Sequence, residues 1–515
     1  MILAASTIPG KADVLVTLAH DLAAFVRQGV ENGSSLDEME RGVLNKVLDM
    51  GAVAVNLFLA GQGDGDLGAS VQVAEGRTLY RSKSVERRPL RTIFGEHVFE
   101  AFVYAAGSKR KIELRPIDAR INLPEGKCSY LLQEFSQLFC VEKAFAVGQR
   151  QFETVFRQKL SVDVLEGINR AMGEQADRFL ENLPLPLPAE EGTILVATAD
   201  GKGVPLVRAD AKQVPAFEQK ERPGHRRMAT LGCVYSVDRH VRTPEQIVAA
   251  LFRDDTVPQP TERPPACHKH YRAYFAEAAS APDEALPSAY RTWTWLGEEV
   301  AARCRPRQTL VRVMDGQPSL WEAADACLQD WLEQRETAGA PALGEPAIVD
   351  ILDIVHVAGY VWKAAKALYA HKEHQEHFAQ DRLLRILRGE VSGVIKGMRR
   401  MASERGLKGA ALKDVRKTCN YFANNVKRMR YDQYLQAGYP IASGVIEGAC
   451  RHVIKDRLEH GGMRWTLEGA QAMLDVRCVS ASSEWEQFNI WRQAEQAEKL
   501  HPFRNVLANY HGFNA

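Results

Sequence analysis

Two short apolar stretches each run into an aspartate followed by glycine: LVATAD-G, with Asp200, and VRVMD-G, with Asp315. Alone, an Asp-Gly pair after a strand is most often a turn. Two of them behind buried-type strands point further, because strand ends are where the side chains of an α/β sheet meet solvent. Two-metal phosphoryl transfer needs carboxylates from separate elements converging on ions about 3.5–4 Å apart. Mg2+ takes hard oxygen ligands and keeps positions open for water and phosphate. A third carboxylate on a late helix would complete the set, and Glu447, Glu459 and Glu468 are the candidates. Glu447 is favoured because Ala442, Ser443, Gly444, Gly448 and Ala449 surround it, and small residues let a helix press close to a sheet. The expected ligands of two Mg2+ (or Mn2+) ions are therefore Asp200, Asp315 and Glu447.

Other side chains extend this set. Arg451 and Lys455 lie four and eight positions after Glu447, which on an α-helix is the same face. A carboxylate followed by a basic stripe can set an acidic site beside a phosphate track. The same spacing also describes an i,i+4 ion pair worth about 0.2–0.5 kcal/mol. Asp353-Ile-Val-His356 offers a histidine that could approach a scissile phosphate or orient a metal-bound water, with Asp353 fixing its tautomer. A packed histidine at a strand end is the equal alternative. Arg464 and Trp465 follow a Gly-Gly pair, as a phosphate contact and a base-stacking ring, although a buried core tryptophan is the commoner outcome. Cys233 and Cys450 lack a partnering histidine or second cysteine and are given packing roles.

The elements that must position these groups can be read from periodicity. Residues 1–66 read as helices, 67–125 as an extended, β-rich segment, and 126–185 as helix again. Within the last, FETVFRQKLSVDVLEGINRAMG forms two amphipathic segments joined near Leu160–Val162, which fits a helix-turn-helix or an ordinary helical hairpin. The Pro-rich string NLPLPLPAEEG marks a domain boundary. Beyond it come a strand at 193–198, a return strand at 203–207, a third at 226–237, another at 309–314 and a fifth at 347–355. Residues 356–440 are almost wholly helical, and 441–515 hold the final catalytic helix and a tail. The result is an α/β class: strands and late helices in ribonuclease-H-like order over 193–355, interrupted by a helical insertion.

Composition is that of an ordinary globular chain, 515 residues with 45% apolar and 25% charged. No apolar run of bilayer length, no secretory signal and no C-x-x-C pair stands out, so a reducing, cytoplasmic setting is expected. The net charge of +1 hides its distribution. Residues 77–122 carry eleven Lys/Arg against five Asp/Glu, and residues 394–430 carry eleven against two. Local basic surface is the footprint of phosphate binding. Lys413, Arg416 and Lys417 in the second segment are the expected DNA contacts there.

At this point the sequence resembles the Kra-type bacterial insertion-sequence transposases. The match rests on DGKGV from Asp200, RRMATLGCVY from Arg226, VRVMDG from Val311, and most specifically SGVIEGACR from Ser443 with GMRW ending at Trp465. TIFG at Thr92 and RPIDARINLP at Arg115 extend it into the N-terminal half. The resemblance implies a ribonuclease-H-like core with Asp200, Asp315 and Glu447 as its acidic triad. It also implies binding to terminal inverted repeats and target DNA as a homo-oligomer, associated with the nucleoid. Relatives often carry cysteines in the extended N-terminal region; FVYAAGSKRK here has none, so a zinc-stabilised module is not carried over. The competing functions are a nuclease of the same fold without strand transfer and a domesticated, non-catalytic DNA-binding protein.

Overall fold

A computed structural model describes residues 9–73, 76–107, 110–215, 224–258, 262–277, 285–305, 308–337 and 348–512. The chain divides into two units, residues 1–171 with 486–515, and residues 172–485, one boundary falling within the helix Val162–Glu181 and the other at the start of the helix Trp485–Leu500. It is a mixed α/β protein with a helical majority.

The first unit opens with helices α1 (Pro9–Asn32) and α2 (Leu36–Ala60). Ser35 starts α2 through a reciprocal capping box: its hydroxyl accepts the Glu38 N–H, and the Glu38 carboxylate accepts the Ser35 N–H at 2.9 Å. By length and composition α2 is apolar enough to cross a membrane. That amends the sequence-based expectation, because Lys46 and Asp49 break the run without lowering its average far. Six strands follow: β1 (Ser70–Gln72), β2 (Thr78–Arg81), β3 (Glu86–Thr92), β4 (Gly95–Ala101), β5 (Tyr104–Ala105) and β6 (Ile112–Leu114). They form one four-stranded sheet, β1-β2-β5-β6, and a separate β3–β4 hairpin. Helices α3 (Pro116–Arg120), α4 (Tyr130–Glu142), α5 (Phe145–Phe156) and α6 (Val162–Glu181) complete this stretch. Arg157 closes α5 in the left-handed conformation, φ 56°, before α6 begins.

The second unit is built on one five-stranded sheet. Its strands are β7 (Ile194–Pro205), β8 (Arg226–Val237), β9 (Cys267–Phe275), β10 (Thr309–Met314) and β11 (Ile348–Leu352), in spatial order β11-β10-β7-β8-β9. β7, β8 and β9 are antiparallel neighbours, and β10 and β11 run parallel to β7. Between strands lie α7 (Arg208–Ala211), α8 (Pro244–Phe252), α9 (Ser288–Arg303) and α10 (Pro318–Thr337). Leu195, Ala197, Ala199, Leu310 and Met314 of the sheet pack with Trp293, Leu296, Leu320 and Trp321 of α9 and α10 in one buried core. Gly232 makes that packing close: a Cβ there would lie 2.7 Å from the Thr292 side chain. After β11 come α11 (Ile354–Leu368), α12 (Lys372–Leu387), α13 (Val391–Glu404), α14 (Gly409–Asn425), α15 (Tyr431–Gln436) and α16 (Gly444–Ala449). A π-helical segment, Cys450–Lys455, leads through the single turn α17 (Asp456–Leu458) to α18 (Leu467–Ala481) and α19 (Trp485–Leu500).

Three expectations change. No separate strand forms at 203–207: β7 runs unbroken to Pro205, paired with β8 as far as Arg226. The third strand is instead β9, which the sequence pattern does not reveal. The C-terminal residues from Glu486 belong with the first unit, rather than with the unit that holds the five-stranded sheet. Ala347, expected at the start of the fifth strand, lies outside the described residues.

Candidate functional site

Asp315 follows β10 directly, and β10 pairs with β7 in the register Thr309↔Ile194 through Arg312↔Ala197. Carried three residues on, that register sets Asp315 level with Asp200. The β10–β11 register ends at Met314↔Leu352, and one residue further sets Asp353 level with Asp315. On that register the three aspartates come level, Asp200 within β7 and the other two just past the ends of β10 and β11. Asp200 is not past a strand end as expected; it sits inside β7, opposite Leu231 of β8. The turn after Asp315 is tight: the Gln317 N–H donates to Asp315 Oδ1 at 2.9 Å, and a Cβ on Gly316 would lie 2.4 Å from the Tyr421 ring. Tyr421 accepts the Gly316 N–H on its hydroxyl at 3.0 Å, tying α14 to this turn.

Asp353 is fully buried and holds the site together. Its Oδ1 accepts the N–H groups of Val355 (3.0 Å) and Ser443 (3.2 Å), and its Oδ2 lies 2.7 Å from His356 Nδ1. One carboxylate therefore caps α11, orients the imidazole and anchors the residue that begins α16. That anchoring brings Glu447 in: its Oε1 lies 3.2 Å from His356 Nδ1. The ligand atoms of Asp353, His356 and Glu447 fall within 4.8 Å of one another, a spacing that a cation could bridge. Asp353 already accepts three hydrogen bonds, however, which suits an orienting group better than a ligand.

The electrostatics follow from this crowding. The hydrogen bond to Asp353, with help from the charges of Asp353, Asp315 and Glu447, raises the His356 pKa to about 9. Burial and then the Asp353 charge push Glu447 above the usual carboxylate range. Burial would raise Asp353 too, but the hydrogen bonds from His356 and Val355 outweigh it and hold this carboxyl low. Lys202, two residues after Asp200 and so on the same strand face, places its Nζ 2.8 Å from Asp200 Oδ2. Burial opposes its charge, but Asp200 prevails and the Lys202 pKa rises. Sequence reasoning misses Lys202, although its i+2 spacing from Asp200 is visible. It also misses Tyr421, for which no local pattern exists.

Beside Asp315 opens a cavity of about 930 Å3 whose wall includes His356, Lys413, Arg416 and Lys417. The three cations are exposed on α14, and among the described residues no carboxylate lies within 4.0 Å of any of them. No family model and no curated protein matches this chain. Among solved structures, the Drosophila P element transposase strand transfer complex is similar over 73% of this chain and 91% of that one, at 9% identity and a TM-score of 0.22. Similarity at that score carries no argument about activity.

The remaining expected residues divide. Glu459, the alternative third carboxylate, pairs with Arg226. Glu468 lies in the first turn of α18. Arg464 is exposed. Trp465 is not a stacking platform: it is 9% exposed, its Nε1–H donates to Leu458 O at 3.2 Å and the Arg457 guanidinium lies over its ring. Its backbone also hydrogen-bonds Pro205 and Val207 at the end of β7, which makes it structural. Arg451 and Lys455 are exposed, on the π-helical segment that follows Glu447. Arg451 lies 3.7 Å from Asp456. Cys233 and Cys450 are buried; burial pushes the Cys233 thiol up to about 12, and Cys450 Sγ lies 3.5 Å from Asp200 O.

Proposed function

We propose that residues 193–485 form a ribonuclease-H-like DDE transposase core that cuts and joins DNA at the ends of an insertion sequence of the Kra type. The observation that carries this reading is the common level of Asp200 within β7 and of Asp315 and Asp353 just past β10 and β11, together with α16, which sets Glu447 against His356 and Asp353. The strand order β11-β10-β7-β8-β9, with only the last two pairings antiparallel, supports the fold assignment.

The donor set fits hard divalent cations: three partly accessible carboxylates, with Glu447 pushed up by burial and a neighbouring negative charge that a cation would offset. Asp200, Asp315 and Glu447 would hold two Mg2+ or Mn2+ ions, which when bound activate the attacking hydroxyl and stabilise the leaving oxygen. The chain's own groups do the rest. Lys202 offsets the charge of Asp200. His356, kept protonated and oriented by Asp353, is a donor for a non-bridging phosphate oxygen. Lys413, Arg416 and Lys417 follow the strand backbone beside Asp315. Hydrolysis and strand transfer are both in-line attacks on a phosphodiester, by water or by a 3′-hydroxyl, so one site serves both. The partners in this reading are terminal inverted repeats, target DNA and further copies of the chain, in a bacterial cytoplasm. Cleavage of an end-labelled element-terminus duplex in Mg2+, Mn2+ or Ca2+ tests it. Cuts mapped to one phosphate in Mg2+ and Mn2+ but not Ca2+ are expected; no cutting in any metal contradicts the reading.

A further inference from the structure

A surface that only follows a DNA backbone needs cations and little else. The groove beside Asp315 holds more. Along α14, Lys413, Arg416 and Lys417 give way to Asn420 and Asn424, so one wall passes from cations to amides. Next to the amides, Tyr360 and Tyr421 stack with ring centroids 3.9 Å apart and planes 16° off parallel. Tyr421 is pinned to the Asp315 turn through Gly316. A side-chain amide carries both donors and an acceptor, the pairing chemistry of a base edge. One face of each ring is taken by the other, and the outer face of Tyr360 is the one left for a base to stack on. A phosphodiester offers only acceptors, so the amide oxygens and the ring faces have no use on a phosphate track. A base presents its edge and its face together only when it is out of the duplex stack. The cavity, about 930 Å3, lies within the range that encloses a single small ligand.

We infer that this groove takes an unpaired nucleotide of the DNA strand adjoining the phosphate to be cut. Its phosphates lie on Lys413, Arg416 and Lys417, and its base lies against Asn420, Asn424 and the tyrosine pair. The inference rests on the DNA reading above. A free nucleotide offers the same base and phosphate chemistry, so the test separates the two sources.

The measurement is fluorescence anisotropy of the full chain in EDTA, with a labelled short oligothymidylate, a labelled blunt duplex, and dTTP as competitor. The wild type binds the oligothymidylate, and Asn420→Ala/Asn424→Ala weakens that binding about tenfold, as expected for the removal of two hydrogen bonds. Its salt dependence stays unchanged, as does duplex binding. Lys413→Ala/Arg416→Ala/Lys417→Ala weakens both ligands and flattens both salt dependences. Oligothymidylate binding unaffected by the asparagine substitutions reduces the groove to a phosphate track and overturns the inference. Displacement by dTTP at an affinity equal to that of the oligomer makes it a free-nucleotide site, which also overturns it. A wild type that binds the duplex but not the oligomer sinks the inference and leaves the DNA reading standing, whereas binding neither sinks both.

Discussion

Two regions carry the basic excess of this chain, and the structure treats them differently. In residues 77–122, Arg77, Arg81, Arg88, Arg91 and Arg115 sit against Glu113, Asp66, Asp118, Glu96 and Glu86 respectively. In residues 394–430, one of the two acids, Asp414, is taken by Lys363 from outside the segment, and the other, Glu404, pairs along its own helix with Arg400. Lys413, Arg416 and Lys417 remain open beside an acidic site. Charge count alone ranks these regions as similar. What separates them is the supply of carboxylates: strand, loop and helix residues bring an acid to each of those five arginines, whereas the second region has too few acids to neutralise its helices.

The sharpest break of this contrast is inside the first region. Arg88 is buried, with its Nε 2.8 Å from Asp118 Oδ2 and its Nη2 2.7 Å from Pro124 O. Arg88→Ala leaves a buried carboxylate without its cation, a loss of about 3–5 kcal/mol in urea unfolding. Burial already holds Asp118 above the usual carboxylate range. An acid with a raised folded pKa destabilises least when protonated, so the deficit of Arg88→Ala narrows as pH falls. A deficit that is small and independent of pH would place this pair with surface bridges.

Next in size is DNA binding. Neutralising Lys413, Arg416 and Lys417 together lowers the slope of log affinity against log salt by about 0.9 for each phosphate that no longer meets a cation. Substituting Arg77, Arg81 and Arg91 by alanine leaves that slope unchanged, because their charges are already matched. Equal slopes for the two triple variants erase the distinction between the regions.

A smaller effect reports on the link between α14 and the acidic site. His356 titrates at about 9 in the folded chain, against 6.5 ordinarily. A raised histidine pKa adds stability that is fully present below the ordinary value and is lost as pH rises through about 9. In EDTA, the stability of the wild type relative to His356→Asn therefore falls between pH 6.5 and 9. Parallel pH profiles would mean that Asp353 and Glu447 do not hold the imidazolium. Smallest is Arg400→Ala: its pair with Glu404 is exposed on both sides, and stability changes by no more than about 0.5 kcal/mol.

Asp315 is legible in the sequence because TLVRVM is buried throughout and mostly apolar, so its end is unambiguous. Asp200 is harder to place. Gly201 and Gly203 look like a turn, yet they continue β7 against Met228 and Thr230 of β8. β9 is invisible because CHKHYRAYF is polar. Its buried polar side chains are matched by distant residues: His270 by Glu299 at 2.9 Å, and Arg272 by Asp177. The π-helical segment after Glu447 is not legible in the sequence, whose spacing there reads as an ordinary α-helix. The D-x-x-H spacing shows that Asp353 can fix the His356 tautomer; that it also anchors Ser443, ninety positions on, emerges only from the tertiary fold.

The most direct test of the central claim is Mg2+-dependent cleavage of an end-labelled element-terminus duplex by Glu447→Gln and Glu459→Gln, with duplex binding measured in parallel. Glu447→Gln loses cleavage and keeps binding, while Glu459→Gln, whose carboxylate pairs with Arg226, keeps both. Cleavage by Glu447→Gln at the wild-type rate, or its loss only in Glu459→Gln, would contradict the assignment of Glu447 to the metal-binding site.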